Sequence, residues 1–207
     1  MLKTSEEYVE SLRKRKITVY MFGQKIKNPT DHPVIKPSIN SISLTYDLTH
    51  DKRYASLATA TSHLTGDRIN RFTHIHQSIE DLVNKVKLFR LLGQKTGACF
   101  QRCVGMDALN ALSSVTFEMD QKYKTKYYER FVEFLRHVQK DDLVCCGAMT
   151  DPKGNRNLAP SQQADPDLYL RIVKKKAEGI VVRGSKVHQT GAVNSHEVIV
   201  MPTRTMG

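Results

Sequence analysis

A change of texture near Asp142 constrains this chain more than any other feature. Up to about residue 140 the apolar residues recur at helical spacing, and beyond it they fall in short alternating runs separated by turn formers. The switch happens once, so helices and strands are expected in separate regions: an α+β fold with a helical bundle over 1–140 and a β-domain over 141–207. At 207 residues, 40% hydrophobic and 26% charged, the chain has material for one sizeable core or two modest ones.

The helical half can be read element by element. Thr4 with Glu7 is a capping box opening a helix over about 4–15, with Tyr8, Val9 and Leu12 on its apolar side. Three prolines in nine residues, Pro29 to Pro37, then force an ordered loop or a linker. Ile39, Ile42, Leu44, Tyr46 and Leu48 fit a helix over 38–49 loosely. Ser78 with Asp81 opens a helix whose stripe Ile79, Leu82, Val83, Val86 and Phe89 runs to Gly93. A long buried helix is expected over Lys95–Met119, and another carries Tyr127, Phe131, Phe134, Leu135 and Val138. Past Asp142, Leu143 to Cys146 is a short apolar run and Asp151 to Asn155 a turn. Leu168, Leu170, Ile172 and Ile180–Val182 make a hairpin, and Val198–Val200 one more strand.

The formal charge of +11 favours an anionic partner: nucleic acid, a phosphorylated cofactor or a membrane surface. No run approaches the roughly 18 apolar residues of a membrane helix, and residues 1–16 lack a signal-peptide core, so the chain reads as cytoplasmic. Four cysteines, two adjacent, fit a reducing compartment better than a disulfide framework. The basic runs Arg13–Lys16 and Lys174–Lys176 read as solvated surface, because no nucleic-acid-binding signature accompanies them.

Cys99 and Cys103 are four apart and would share a helix face, where two thiolates can serve one metal. By spacing alone they read as core cysteines rather than ligands, since zinc and ferredoxin patterns prefer two intervening residues. Lys85 to Met106 holds five basic residues and no acidic one, a surround that stabilises thiolates. Of Cys145 and Cys146, one is expected in the core and the other exposed. His74 and His76 read as surface or capping residues. His188-Gln189-Thr190-Gly191 follows an apolar strand and reads as a turn or a ligand contact. The loop from Gly147 to Arg156 offers hydroxyl, carboxylate, amide and cation together, suited to a cofactor's pyrophosphate or ring edge.

Several stretches, Tyr20 to Gly23, Arg90 to Asp107, Gly147 to Gly154, Gly179 to Gly184, His188 to Gly191 and Asn194 to His196, together resemble one family. They look like the N-terminal portion of the 4-hydroxybutyryl-CoA dehydratases, within the 4-hydroxyphenylacetate 3-hydroxylase and acyl-CoA dehydrogenase-like flavoproteins. The resemblance implies that the second region is the start of a β-barrel-like middle domain, and that the chain is a truncated piece of a homotetramer. It implies FAD and a 4Fe-4S cluster, with Cys99 and Cys103 as two of four cluster ligands and the other two beyond the chain's end. Met149, Thr150, Asp151, Lys153, Asn155 and Arg156 match the flavin loop. His188, Gln189 and Thr190 match the segment beside the isoalloxazine, with Thr190 near its reactive nitrogen. The implied substrate is an acyl-CoA thioester, 4-hydroxybutyryl-CoA dehydrated to crotonyl-CoA, with vinylacetyl-CoA isomerised as well; the implied partners include neither nucleic acid nor membrane. Two other readings stand beside it: a flavin-dependent aromatic hydroxylase, and a basic nucleic-acid-binding or scaffold protein.

Overall fold

The protein is described by a computed structural model over residues 1–202; the last five residues of the expected β-domain, 203–207, lie outside the described part. The chain divides into two units, Met1–Cys146 with Thr190–Glu197, and Gly147–Gln189 with the residues from Val198 on.

In the first unit the Thr4 box forms as expected: Thr4 Oγ1 accepts from Glu7 N and the Glu7 carboxylate accepts from Thr4 N, opening α1 (Ser5–Arg13). A short hairpin follows, β1 (Val19–Met21) and β2 (Gln24–Ile26), turned by Phe22-Gly23. Its three-residue strands are too short for a period to register. The proline run is an ordered loop that ends by starting α2 (Lys36–His50), with Pro37 in its first turn where no amide bond is lost. Tyr8, Leu12, Ile39, Ile42, Tyr46 and Val144 form one core cluster, with Tyr8 and Tyr46 stacked at 4.8 Å between centroids. A four-residue α3 (Ala55–Ala58) leads into a second hairpin, β3 (Thr59–Thr61) and β4 (Arg68–Asn70).

Then come α4 (Ile79–Thr96), α5 (Cys103–Tyr123) and α6 (Tyr127–Lys140). Leu88 and Leu92 of α4, Phe100 and Met106 build a second core cluster with Leu48 and Phe72. The helix expected over Lys95–Met119 is corrected here. Gly97, at φ +59°, caps α4 by donating its amide to Gly93 O, and α5 starts only at Cys103. Cys99 and Phe100 therefore lie in a loop.

Strand β5 (Cys145–Ala148) pairs with β8 (Glu197–Val200). Cys145 and Cys146 are both buried, against the expectation that one would be exposed. Neighbours on both sides explain it. A β-carbon on Gly105 would lie 2.0 Å from the Cys145 carbonyl oxygen, so α5 rests directly on the strand, and one on Gly191 would lie 3.3 Å from Cys146 Sγ.

In the second unit β6 (Arg171–Lys176) and β7 (Gly179–Arg183) form an antiparallel hairpin, and every residue of it is exposed. Among the described residues the strands make four two-stranded sheets and none closes, so the fold is mixed helix and strand without a barrel.

Candidate functional site

Two groups of residues gather, one in each unit. In the first, Cys99 is exposed in the loop between α4 and α5, and Cys103 is half-buried at the first turn of α5. The pair does not share a helix face; burial, and next the charge of neighbouring Cys99, push the Cys103 thiol up. The loop closes on itself because Gln101 takes a left-handed φ of 57° and its amide donates to Cys99 Sγ at 3.4 Å. Two soft sulfurs, two residues on either side of Gln101 at the positive end of a 21-residue helix, fit a thiophilic metal or cluster, whose charge would favour the thiolate that burial opposes at Cys103. No group of three or more His, Cys, Asp or Glu that could hold a metal occurs among the described residues, so the fit is to half of a four-ligand site.

Arg102, between the cysteines, turns the other way into the core. Its guanidinium lies between the rings of Tyr46 (4.9 Å) and Phe72 (4.7 Å), donates to Thr45 Oγ1 at 2.9 Å and stands 3.9 Å from Asp142. The positive surround read from the sequence is thus partly structural. So is the run at Arg13–Lys16: Arg13 pairs with Asp31 and Arg15 donates to the carbonyls of Val193 and Ser195.

Thr190 is exposed and opens a short 3₁₀ turn, Thr190–Asn194, in the same unit. That turn lies on the cysteine loop: Asn194 Nδ2 donates to Gln101 Oε1 at 3.0 Å, and a β-carbon on Gly191 would stand 3.6 Å from Gln101 O. Residues 93 apart in sequence are in hydrogen-bond contact, which sets the turn that Thr190 opens against the loop between Cys99 and Cys103.

In the second unit Met149, Thr150, Lys153, Asn155 and Arg156 are exposed and Asp151 is half-buried. Their loop is not loose. Gln163, itself buried, accepts from Asn155 N at 2.9 Å and donates back to Asn155 O at 2.9 Å. A β-carbon on Gly154 would meet Gln163 Oε1 at 2.3 Å, so only glycine lets the clamp close. Asp151 is ion-paired with Lys186 at 2.7 Å, and Val187 N donates to Thr150 O at 2.9 Å. The segment ending in exposed His188, at φ 59°, and half-buried Gln189 is thereby tied to the loop. Lys153 and Arg156 face solvent, which suits a pyrophosphate. Gln163 and Lys186 carried no sequence signal: one lies in a polar stretch without period, the other between Ser185 and Val187 just after the hairpin.

His74 departs from its expected surface place. It is buried, with Nε2 3.2 Å from Asp81 Oδ1. Burial opposes ionisation of Asp81, but hydrogen bonds from Gln77 N and Ser78 and the nearby His74 ring outweigh it and hold Asp81 down to about 2.

The chain matches the family described as 4-hydroxyphenylacetate 3-hydroxylase N terminal over residues 4–207. It is 61% identical over 206 residues to a 4-hydroxybutyryl-CoA dehydratase/vinylacetyl-CoA-Δ-isomerase of Clostridium aminobutyricum, covering 100% of this chain and 42% of that protein. It is 30% identical over 203 residues to the 4-hydroxyphenylacetate 3-monooxygenase oxygenase component of Thermus thermophilus, covering 98% and 41%. Among solved structures, an oxygen-tolerant archaeal 4-hydroxybutyryl-CoA dehydratase from N. maritimus superposes with a TM-score of 0.93 at 54% identity, over 99% of this chain and 40% of that one. An oxygenase component of 4-hydroxyphenylacetate 3-monooxygenase complexed with FAD superposes at 0.76 with 29% identity, over 99% and 42%. The chain therefore spans about two fifths of the length of these relatives.

Proposed function

This chain belongs to the 4-hydroxyphenylacetate 3-hydroxylase N-terminal family, and on that premise we propose that it is the N-terminal portion of an FAD- and 4Fe-4S-dependent 4-hydroxybutyryl-CoA dehydratase with vinylacetyl-CoA Δ-isomerase activity. The observation that carries the reading is the bent loop from Cys99 to Cys103, bonded through Gln101 to the turn that Thr190 opens, in a chain 61% identical to such an enzyme. When bound, FAD supplies transient one-electron oxidation of the deprotonated thioester, and the cluster a Lewis acid for the departing hydroxyl.

The chain's own residues have narrower tasks. Cys99 and Cys103 would hold one side of the cluster, and would do so as thiolates, with the helix N-terminus and the metal's charge offsetting the burial of Cys103. Lys153 and Arg156 offer charge to the FAD pyrophosphate, and Met149, Thr150 and Asn155 line the same loop. Asp151, held by Lys186, fixes the loop rather than meeting the cofactor through a free carboxylate. His188, Gln189 and Thr190 are read, by the resemblance, as the segment beside the isoalloxazine, with the Thr190 hydroxyl as a hydrogen-bonding group for it. The reading extends to a cytoplasmic homotetramer acting on an acyl-CoA thioester, with the remaining ligands and the acid–base residues supplied by sequence beyond this chain.

The test joins the chain to the C-terminal part of such an enzyme and adds iron, sulfide and FAD. Flavin and cluster absorption with crotonyl-CoA formation is expected, and Cys103→Ala should keep the flavin while losing iron and dehydration. Flavin without iron in the unmutated protein would overturn the reading in favour of an aromatic hydroxylase.

A further inference from the structure

Asn194 is completely buried, at 0% exposure, at the end of the Thr190–Asn194 turn. Its Nδ2 donates to Gln101 Oε1 at 3.0 Å and to Ser38 Oγ, and its carbonyl accepts from the Tyr8 hydroxyl at 2.7 Å. Its Oδ1 has no hydrogen-bond partner among the described residues. A buried amide with an unmade acceptor is costly, so stability alone does not account for an asparagine here; what it makes are the two bonds from Nδ2.

One of those bonds reaches the middle of the cysteine loop. Gln101 sits at φ 57°, a conformation that costs a non-glycine residue about 1 kcal/mol or more and persists where the surroundings impose it. The reversal at Gln101 goes with the hydrogen bond from its amide to Cys99 Sγ, which bends the loop between Cys99 and Cys103. The restraint comes from outside the loop, from Nδ2 on the side chain and from Gly191, whose missing β-carbon leaves room beside Gln101 O.

We propose that Asn194 is a positioning residue: by gripping Gln101 from the Thr190 turn it holds Cys99 and Cys103 as a preorganised bidentate pair before any metal arrives. This rests on the reading of the two cysteines as ligands. A loop already bent does not spend binding free energy on ordering itself, and losing such an outer support costs about 10-fold in metal affinity.

The probe is Cd²⁺, a soft ion titrated into the chain and followed by thiolate-to-metal charge-transfer absorption. The unmutated chain should bind it, and Cys99→Ala should abolish the band. Asn194→Ala and Gln101→Ala should each weaken binding about 10-fold, and the double variant should weaken it no further, because both remove one contact. Gln101 is only half-buried, so Gln101→Ala should keep its unfolding midpoint and remains informative even where Asn194→Ala fails to fold. A stable Gln101→Ala that binds Cd²⁺ as tightly as the unmutated chain overturns the positioning role while leaving the ligand pair standing. No charge-transfer band in the unmutated chain overturns both.

Discussion

His196 stays neutral inside the first unit. Its Nδ1 accepts the Val144 amide at 2.9 Å, so Nε2 carries the proton and donates to Ser11 Oγ at 2.7 Å; Ser11 in turn donates to Tyr8 O. Burial, then the charges of Lys3, Arg15 and Arg102, push its pKa down to about 3. The folded value lies below the unfolded one, so protonation favours unfolding: the contribution is intact above about pH 6.5 and is lost as pH falls toward 3. Urea unfolding at pH 7 and pH 4.5 should show His196→Asn, which keeps an acceptor for Val144, losing roughly 2 kcal/mol less on acidification than the unmutated chain. Equal losses would exclude this account. Arg102 gives a second prediction at the same scale. Asp142 is already pushed up by burial, with Arg102 the chief opposing influence. Removing that guanidinium in Arg102→Met should cost about 3 kcal/mol in urea unfolding, because it leaves a buried carboxyl without its cation.

At the scale of elements, what formed as expected is what neighbours in sequence encode. The Thr4 box fixes the start of α1 through two local bonds, so Thr4→Ala should lower stability by about 1 kcal/mol, read as a shifted unfolding midpoint. The starts of α4 and α6, and the β6–β7 hairpin, were legible from caps and periods in the same way. The start of α5 was not. Apolar residues continue through Ala98, Phe100 and Val104, and the pattern hides that Gly97 ends one helix and that Phe100 is buried from a loop. The adjacent cysteines failed for another reason: alternation assigns a strand's two faces but says nothing about whether both are covered, and here α5 lies close enough to exclude a β-carbon at Gly105. Gly105→Ala must push a helix off a strand backbone.

Across the whole molecule the burial is uneven. The first unit holds both core clusters, whereas the β6–β7 hairpin exposes Ile172, Ile180 and Val182 along with Lys174, Lys175 and Lys176. A two-stranded hairpin without cover is marginal in water, so limited trypsin digestion should cut first between Arg171 and Arg183, before any site in α4 to α6, as mass spectrometry of the early fragments would show. Early cleavage inside those helices would contradict it. The sequence by itself determined α1, α4 and α6, the β6–β7 hairpin, the position of the texture change, and which loop and which cysteines to examine, because caps, periods and turn residues act over a few positions. Only the tertiary structure decided that Cys99 lies in a loop ahead of the helix that Cys103 opens, that Asp151 is held by Lys186, that His74 and His196 are interior, and that Asn194 reaches Gln101. Those contacts join segments far apart along the chain, where burial and hydrogen-bond satisfaction, not local propensity, choose the partner.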